Sequence, residues 1–132
     1  MPTPRFLTLE EILWLYEDQI ASFGGTSGVR DVGLLKSALA QPQASFGGEL
    51  LHPTIAEQAA AYLYHLAMNH PFIDGNKRTA LASMEAFILA NGYQLNPTND
   101  EAYELVLSMV EGATSKGDLA KKLASVVRQE YP

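Results

Sequence analysis

Apolar residues recur at three- and four-residue intervals through most of this 132-residue chain, the period of helices and not of strands. Leu9, Ile12, Leu13, Tyr16 and Ile20 form one such stripe, with Glu10, Glu17 and Asp18 elsewhere on the helix, and Gly24-Gly25 ends it. A shorter helix is expected from about Val32 to Ala40, closed by Pro42. Ile55 to Asn69 and Arg78 to Ala90 are apolar nearly all the way round, which predicts two central, buried helices. Asn91-Gly92 stops the second in keeping with a left-handed cap. Ala102, Leu105, Val106, Met109 and Val110 mark a further amphipathic helix, and Leu119, Leu123, Val126 and Val127 another.

Helix starts are written into the polar residues. Ser/Thr-x-x-Asp/Glu precedes an apolar stripe four times, at Thr8/Glu11, Thr54/Glu57, Thr98/Glu101 and Ser115/Asp118. Leu7 facing Ile12 adds a hydrophobic staple to the first. Gln41 to His52 has no helical period and contains Phe46-Gly47-Gly48, so it is expected to be a loop or a small hairpin. No other segment reads as a strand pair, and there is no internal repeat. The expected class is all-α, with two buried central helices wrapped by the rest.

Composition narrows this picture. With 47% hydrophobic and 18% charged residues in 14.4 kDa, the chain has the balance of one soluble globular domain spanning residues 1–132. No run approaches the roughly 18 to 20 apolar residues of a membrane span, and the first dozen residues lack a signal-peptide layout. Cysteine is absent, which removes disulfides, thiolate nucleophiles and Cys-based metal sites. The cytoplasm is the expected compartment. A net charge of -6 with no basic stripe argues against nucleic acid as the main partner, because phosphate binding calls for the opposite balance.

The densest chemistry falls in His70-Pro71-Phe72-Ile73-Asp74-Gly75-Asn76-Lys77-Arg78, between the two central helices. A helix N-terminus presents unpaired amides and a positive dipole end, so the amides of Gly75, Asn76 and Lys77 suit a phosphate cradle, with Lys77 and Arg78 adding charge. Asp74 beside that cradle would repel a phosphate unless a cation lay between them, which makes it the candidate Mg²⁺ ligand. His70, at the end of the preceding helix, is placed to deprotonate an incoming hydroxyl, and Phe72 to anchor the loop in the core. Taken singly these residues have structural readings: Asp74 and Asn76 are good N-caps, His70 a helix end, Gly75 a turn. Caps alone do not require His, Asp, Asn, Lys and Arg in one loop. His52 and His65 fit no part of this site and are expected to be structural.

HPFIDGNKR resembles the Fic/Doc superfamily signature, His-x-Phe-x-Asp/Glu-Gly-Asn-Gly-Arg-x-x-Arg, with Lys77 in place of the second glycine and Leu81 in place of the second arginine. Asn76-Lys77-Arg78-Thr79-Ala80-Leu81 is similar to the death-on-curing (Doc) branch, with Gly75 replacing that branch's alanine. Phe6 to Glu11, Gly28-Val29-Arg30-Asp31, Gly33 to Leu39 and Phe46-Gly47-Gly48 also look like that branch, so the resemblance covers most of the chain.

The resemblance implies transfer from ATP, with Mg²⁺, to a protein hydroxyl. His70 would be the general base and Asp74 the metal ligand, Gly75, Asn76 and Lys77 would hold the nucleotide phosphates, and Arg78 would neutralise their charge. It further implies a toxin of a toxin-antitoxin pair, a kinase acting on a threonine of elongation factor Tu and so blocking translation. A Fic-type AMP-transferase and a catalytically silent binding module are the alternatives. Lys77 fills phosphate space and Leu81 cannot clamp a phosphate, which favours the kinase. Gln41 to His52 corresponds in position to the flap that pins a target peptide, or is an ordinary connection. Ser108-Met109-Val110-Glu111-Gly112 is one residue short of the inhibitory pattern of some Fic proteins, so a separate antitoxin with a disordered segment is expected.

Overall fold

The computed structural model describes residues 3–95, 99–112 and 115–129. Among them the chain is mostly helical, with two small antiparallel sheets. Helix α1 (Leu9–Phe23) starts as its polar residues dictate. Thr8 Oγ1 accepts from the Glu11 amide at 3.1 Å, while Glu11 Oε1 accepts from the Thr8 amide at 2.9 Å. That amide bond, and then Arg5, hold the Glu11 carboxyl below its ordinary pKa. Leu7 and Ile12 are both buried, as a staple requires.

Helix α2 (Val32–Ala40) is capped by Asp31, whose Oδ1 accepts from the Leu34 amide at 2.9 Å. Strands β1 (Ser45–Phe46) and β2 (Glu49–Leu50) then form a hairpin, the second of the two structures expected for this stretch. Gly47 and Gly48 both take positive φ, 61° and 84°, which a tight two-residue turn demands. The hairpin returns into helix α3 (Ile55–Asn69), where Gln58 Nε2 donates to the His52 carbonyl at 2.8 Å.

Helix α3 is the centre of the molecule. Ala59 to Leu63, Leu66 and Ala67 have no exposed surface, and α2, α6 (Lys116–Val126) and α4 (Asn76–Ala90) pack around them. Alanine-rich faces let backbones approach closely, so small side chains here are a packing device. Helix α4 departs from expectation in two ways. It begins at Asn76, two residues before Arg78, and it buries one face only, through Thr79, Ala80, Ser83, Met84, Phe87 and Ile88, leaving Leu89 about half exposed.

The described part of α5 (Asn99–Val110) buries Met109, while the Thr98/Glu101 start signal falls partly outside the described residues. Gly112, at φ 79°, turns the chain just beyond it, so Glu111 and Gly112 follow the helix and do not belong to it. Ser115 caps α6 as expected, accepting from the Asp118 amide at 3.1 Å.

One element contradicts the expectation that no strand pair lies outside residues 41–52. Strand β3 (Tyr93–Leu95) pairs antiparallel with β4 (Val127–Gln129), in the register Tyr93↔Gln129, Gln94↔Arg128 and Leu95↔Val127. Val127, expected as the last apolar position of a helix, is extended at φ -82°, ψ 127°. Three-residue strands carry too few alternations to show a period of two, and their pairing is set by a partner far away in sequence.

Candidate active site

The loop from α3 to α4 is held by its interior, residue by residue. Phe72 is 1% exposed and stacks on the Tyr16 ring of α1, with centroids 3.9 Å apart and planes 7° apart. The anchoring role expected for Phe72 is thus met, and Tyr16 supplies its partner. Asn76 does not cap α4. Its Oδ1 accepts from the Phe72 amide at 2.9 Å and its Nδ2 donates to the Phe72 carbonyl at 2.9 Å, so the side chain completes the backbone of a buried loop residue. The cap position is Gly75, at φ 78°, with no side-chain hydrogen bond.

Residues 26–31 brace the loop from outside the motif. Val29 and Phe72 form an antiparallel bridge, in which the Ile73 amide donates to the Gly28 carbonyl at 2.9 Å and the Arg30 amide to the Pro71 carbonyl at 2.7 Å. Tyr16 ties this segment to α1, its hydroxyl accepting from the Gly28 amide at 2.7 Å. The Arg30 side chain reaches the end of α3, where Nε donates to the His70 carbonyl at 2.7 Å and an Nη to the Asn69 carbonyl at 3.0 Å. The motif-like run 28–31 was visible in the sequence. Its bonding to the loop was not, because it depends on a contact 40 residues away.

The chemistry-bearing groups stand on this frame. His70 is exposed and sits at the α3 terminus in left-handed conformation, φ 49°, ψ 54°. Asp74 is exposed too, its Oδ1 accepting from the Gly75 amide at 2.9 Å and its Oδ2 from the Thr26 amide at 3.3 Å. A side chain on Gly25 would lie 2.8 Å from Oδ2, so Gly24-Gly25 both ends α1 and leaves room for the carboxylate. A carboxylate offers about four lone-pair sites, and these two bonds leave capacity for a cation. Mg²⁺, which takes one or two carboxylates and completes its shell with water and phosphate oxygens, fits such a group.

The cradle is narrower than expected. The Gly75 amide already serves Asp74, and the space where its Cβ would stand belongs to Ile20 Cδ1, 3.1 Å away. The glycine is required by its positive φ and by α1, leaving the Asn76 and Lys77 amides as first-turn donors of α4. Lys77 is half-buried. The Arg78 guanidinium lies 3.9 Å over the Phe23 ring and 5.4 Å from that of Tyr103, on the side of α4 facing α1 and α5. It lines an open cleft of about 370 Å³ with Gln19, Leu81 and Asp100.

A helical protein whose central helix ends in an exposed histidine, followed by a braced loop carrying an exposed carboxylate into the next helix, defines a recognisable class. A profile of the Fic/DOC family matches residues 6–88, and the chain belongs to that family. It falls on the Doc branch. It is 50% identical over 74 residues to Toxin Doc of Mycolicibacterium smegmatis, a match covering 56% of this chain and 57% of that protein. It is 32% identical over 119 residues to Protein kinase doc of Escherichia phage P1, covering 90% of this chain and 93% of the phage protein. The chain thus spans little more than half the length of the Mycolicibacterium relative.

Proposed function

We propose that this protein is a Doc-like toxin that transfers the γ-phosphoryl group of ATP to a Ser or Thr hydroxyl of a translation factor, elongation factor Tu being the first candidate. The observation that carries this reading is the placement of exposed His70 and exposed Asp74 on one braced loop, directly ahead of the α4 N-terminus. The names of the two relatives, one a toxin and one a protein kinase, support it.

Each residue then has a task. His70 accepts the proton of the attacking hydroxyl. Asp74 would hold Mg²⁺, which would offset the negative charge of the phosphates during transfer. The Asn76 and Lys77 amides and the Lys77 ammonium bind the terminal phosphate, while Arg78, at the cleft beside the loop, neutralises charge further along the nucleotide. Leu81 lies in the wall of that cleft and offers no second guanidinium to clamp a phosphate, which favours phosphoryl over AMP transfer.

The hairpin edge of β1 and β2 offers a strand for an acceptor segment, and Phe46 at its turn is 82% exposed. A disordered antitoxin segment that folds as it binds would enter the same cleft between α1, α4 and α5, bordered by exposed Phe23, and exclude the nucleotide from it, in a cytoplasmic setting. No helix among the described residues is long and apolar enough to cross a membrane. The test is to incubate the protein with Mg²⁺, elongation factor Tu and ATP labelled at either the α- or the γ-phosphate. Label from the γ-position only supports the kinase, and label from the α-position overturns it in favour of AMP transfer.

A further inference from the structure

We infer that Arg30 is a positioning residue for the base: its guanidinium locks the His70 backbone in a conformation that the local sequence disfavours, and so sets where the imidazole stands. This rests on the reading of His70 as the base.

The first observation is strain. His70 is the one non-glycine residue with positive φ among the described residues, a region that only a few per cent of non-glycine residues adopt, histidine more readily than most. Pro71 follows it, and a proline restricts the residue before it towards extended conformations. Two local preferences therefore oppose φ 49°, ψ 54°, and a conformation of this kind persists only where surrounding structure over-determines it.

The second observation is what does the over-determining. Three successive carbonyls leave the end of α3, and all three are bonded by residues 30 and 31. Asn69 O accepts from an Arg30 Nη at 3.0 Å, and His70 O accepts from Arg30 Nε at 2.7 Å. Pro71 O accepts from the Arg30 and Asp31 amides at 2.7 and 3.1 Å. The backbone part of this clamp belongs to any residue at position 30. The two bonds that bracket the His70 peptide come from the guanidinium, whose planar fork suits two diverging acceptors and whose charge suits a helix C-terminus. Among the described residues no carboxylate forms an ion pair with Arg30, so its hydrogen-bonding capacity is directed at these carbonyls.

The consequence is catalytic because the imidazole is carried by the locked residue. Relaxation of His70 towards extended backbone would swing its side chain away from the hydroxyl it deprotonates, and misplacement of a reacting group by about 1 Å costs on the order of a hundredfold in rate. Phe72 and Asn76 hold the rest of the loop independently, so losing the guanidinium leaves the Asp74 and Lys77 end in place.

The test uses the full chain as wild type, Arg30→Ala and Arg30→Lys, each checked for folding by thermal unfolding. Turnover is measured with Mg²⁺, ATP and elongation factor Tu, and the His70 ring and backbone resonances are followed by NMR. Arg30→Ala is expected to lower kcat by about tenfold or more while the ATP KM stays within about twofold, and millimolar guanidinium is expected to restore part of the loss. Arg30→Lys, with a point charge and no fork, is expected to fall between. A kcat within about twofold of wild type in Arg30→Ala would overturn the proposal, as would a loss that tracks melting temperature and ignores guanidinium. If the wild type transfers nothing, the kinase reading fails, and the resonances alone decide the clamp. A His70 shift in Arg30→Ala that guanidinium reverses sustains it, and unmoved His70 signals sink it.

Discussion

Asn76 shows how one residue type in one loop serves an end that its identity alone does not reveal. Asparagine before an apolar helix suits an N-cap, and beside a phosphate-binding loop it suits the cradle. In the fold its side chain satisfies both backbone groups of Phe72, and only its amide remains for the helix terminus. Leaving a buried donor and acceptor unpaired costs about 2–6 kcal/mol for the two together, so Asn76→Ala is expected to lower the urea midpoint markedly. A change below about 0.5 kcal/mol in that titration would show that water replaces the side chain without loss. Phe72 was legible as an anchor because it is the one aromatic residue in a polar run. Tyr16 and Arg30 were not, since each meets the loop from a distant element and neither carries a local signal.

At the scale of elements, caps proved more informative than periodicity. Thr8, Thr54 and Ser115 each accept from the amide three residues on, as their spacing requires. Thr8→Ala removes one half of a reciprocal pair and is expected to cost about 1 kcal/mol in urea unfolding, with little effect on transfer because α1 meets the loop through Tyr16 and Ile20. A loss of transfer out of proportion to that destabilisation would mean that the start of α1 takes part in the site. Helix α4 began earlier than its apolar pattern because glycine, through φ 78°, supplies its cap geometry, while the cap-type side chains of Asp74 and Asn76 bond within the loop. The β3–β4 pair escaped notice because two three-residue strands gain their stability from each other and from packing, with no propensity pattern long enough to read.

Over the whole molecule the two kinds of histidine separate by environment. His70 is exposed on the loop, whereas His65, half-buried on α3, lies with its Nε2 3.1 Å from Lys116 Nζ. Burial first, and then the charges of Lys116 and His52, push the His65 pKa down from 6.5 to about 4, and burial lowers His52 as well. Between those values the unfolded chain binds a proton at His65 that the fold refuses, so stability is full above about pH 6.5 and declines as pH falls towards about 4. Glu85, raised by burial, contributes in the opposite sense, which makes the difference between wild type and His65→Gln the useful quantity. Urea midpoints followed from pH 7 to 4 are expected to fall less steeply in the variant, and parallel curves would contradict the assignment. The central claim, phosphoryl transfer by the His70 loop, is tested most directly by the intact mass of elongation factor Tu after incubation with this protein, Mg²⁺ and ATP, with His70→Ala alongside. A gain of about 80 Da, absent with the variant, is the predicted result. A gain of about 329 Da, or one of about 80 Da that persists in His70→Ala, would contradict it.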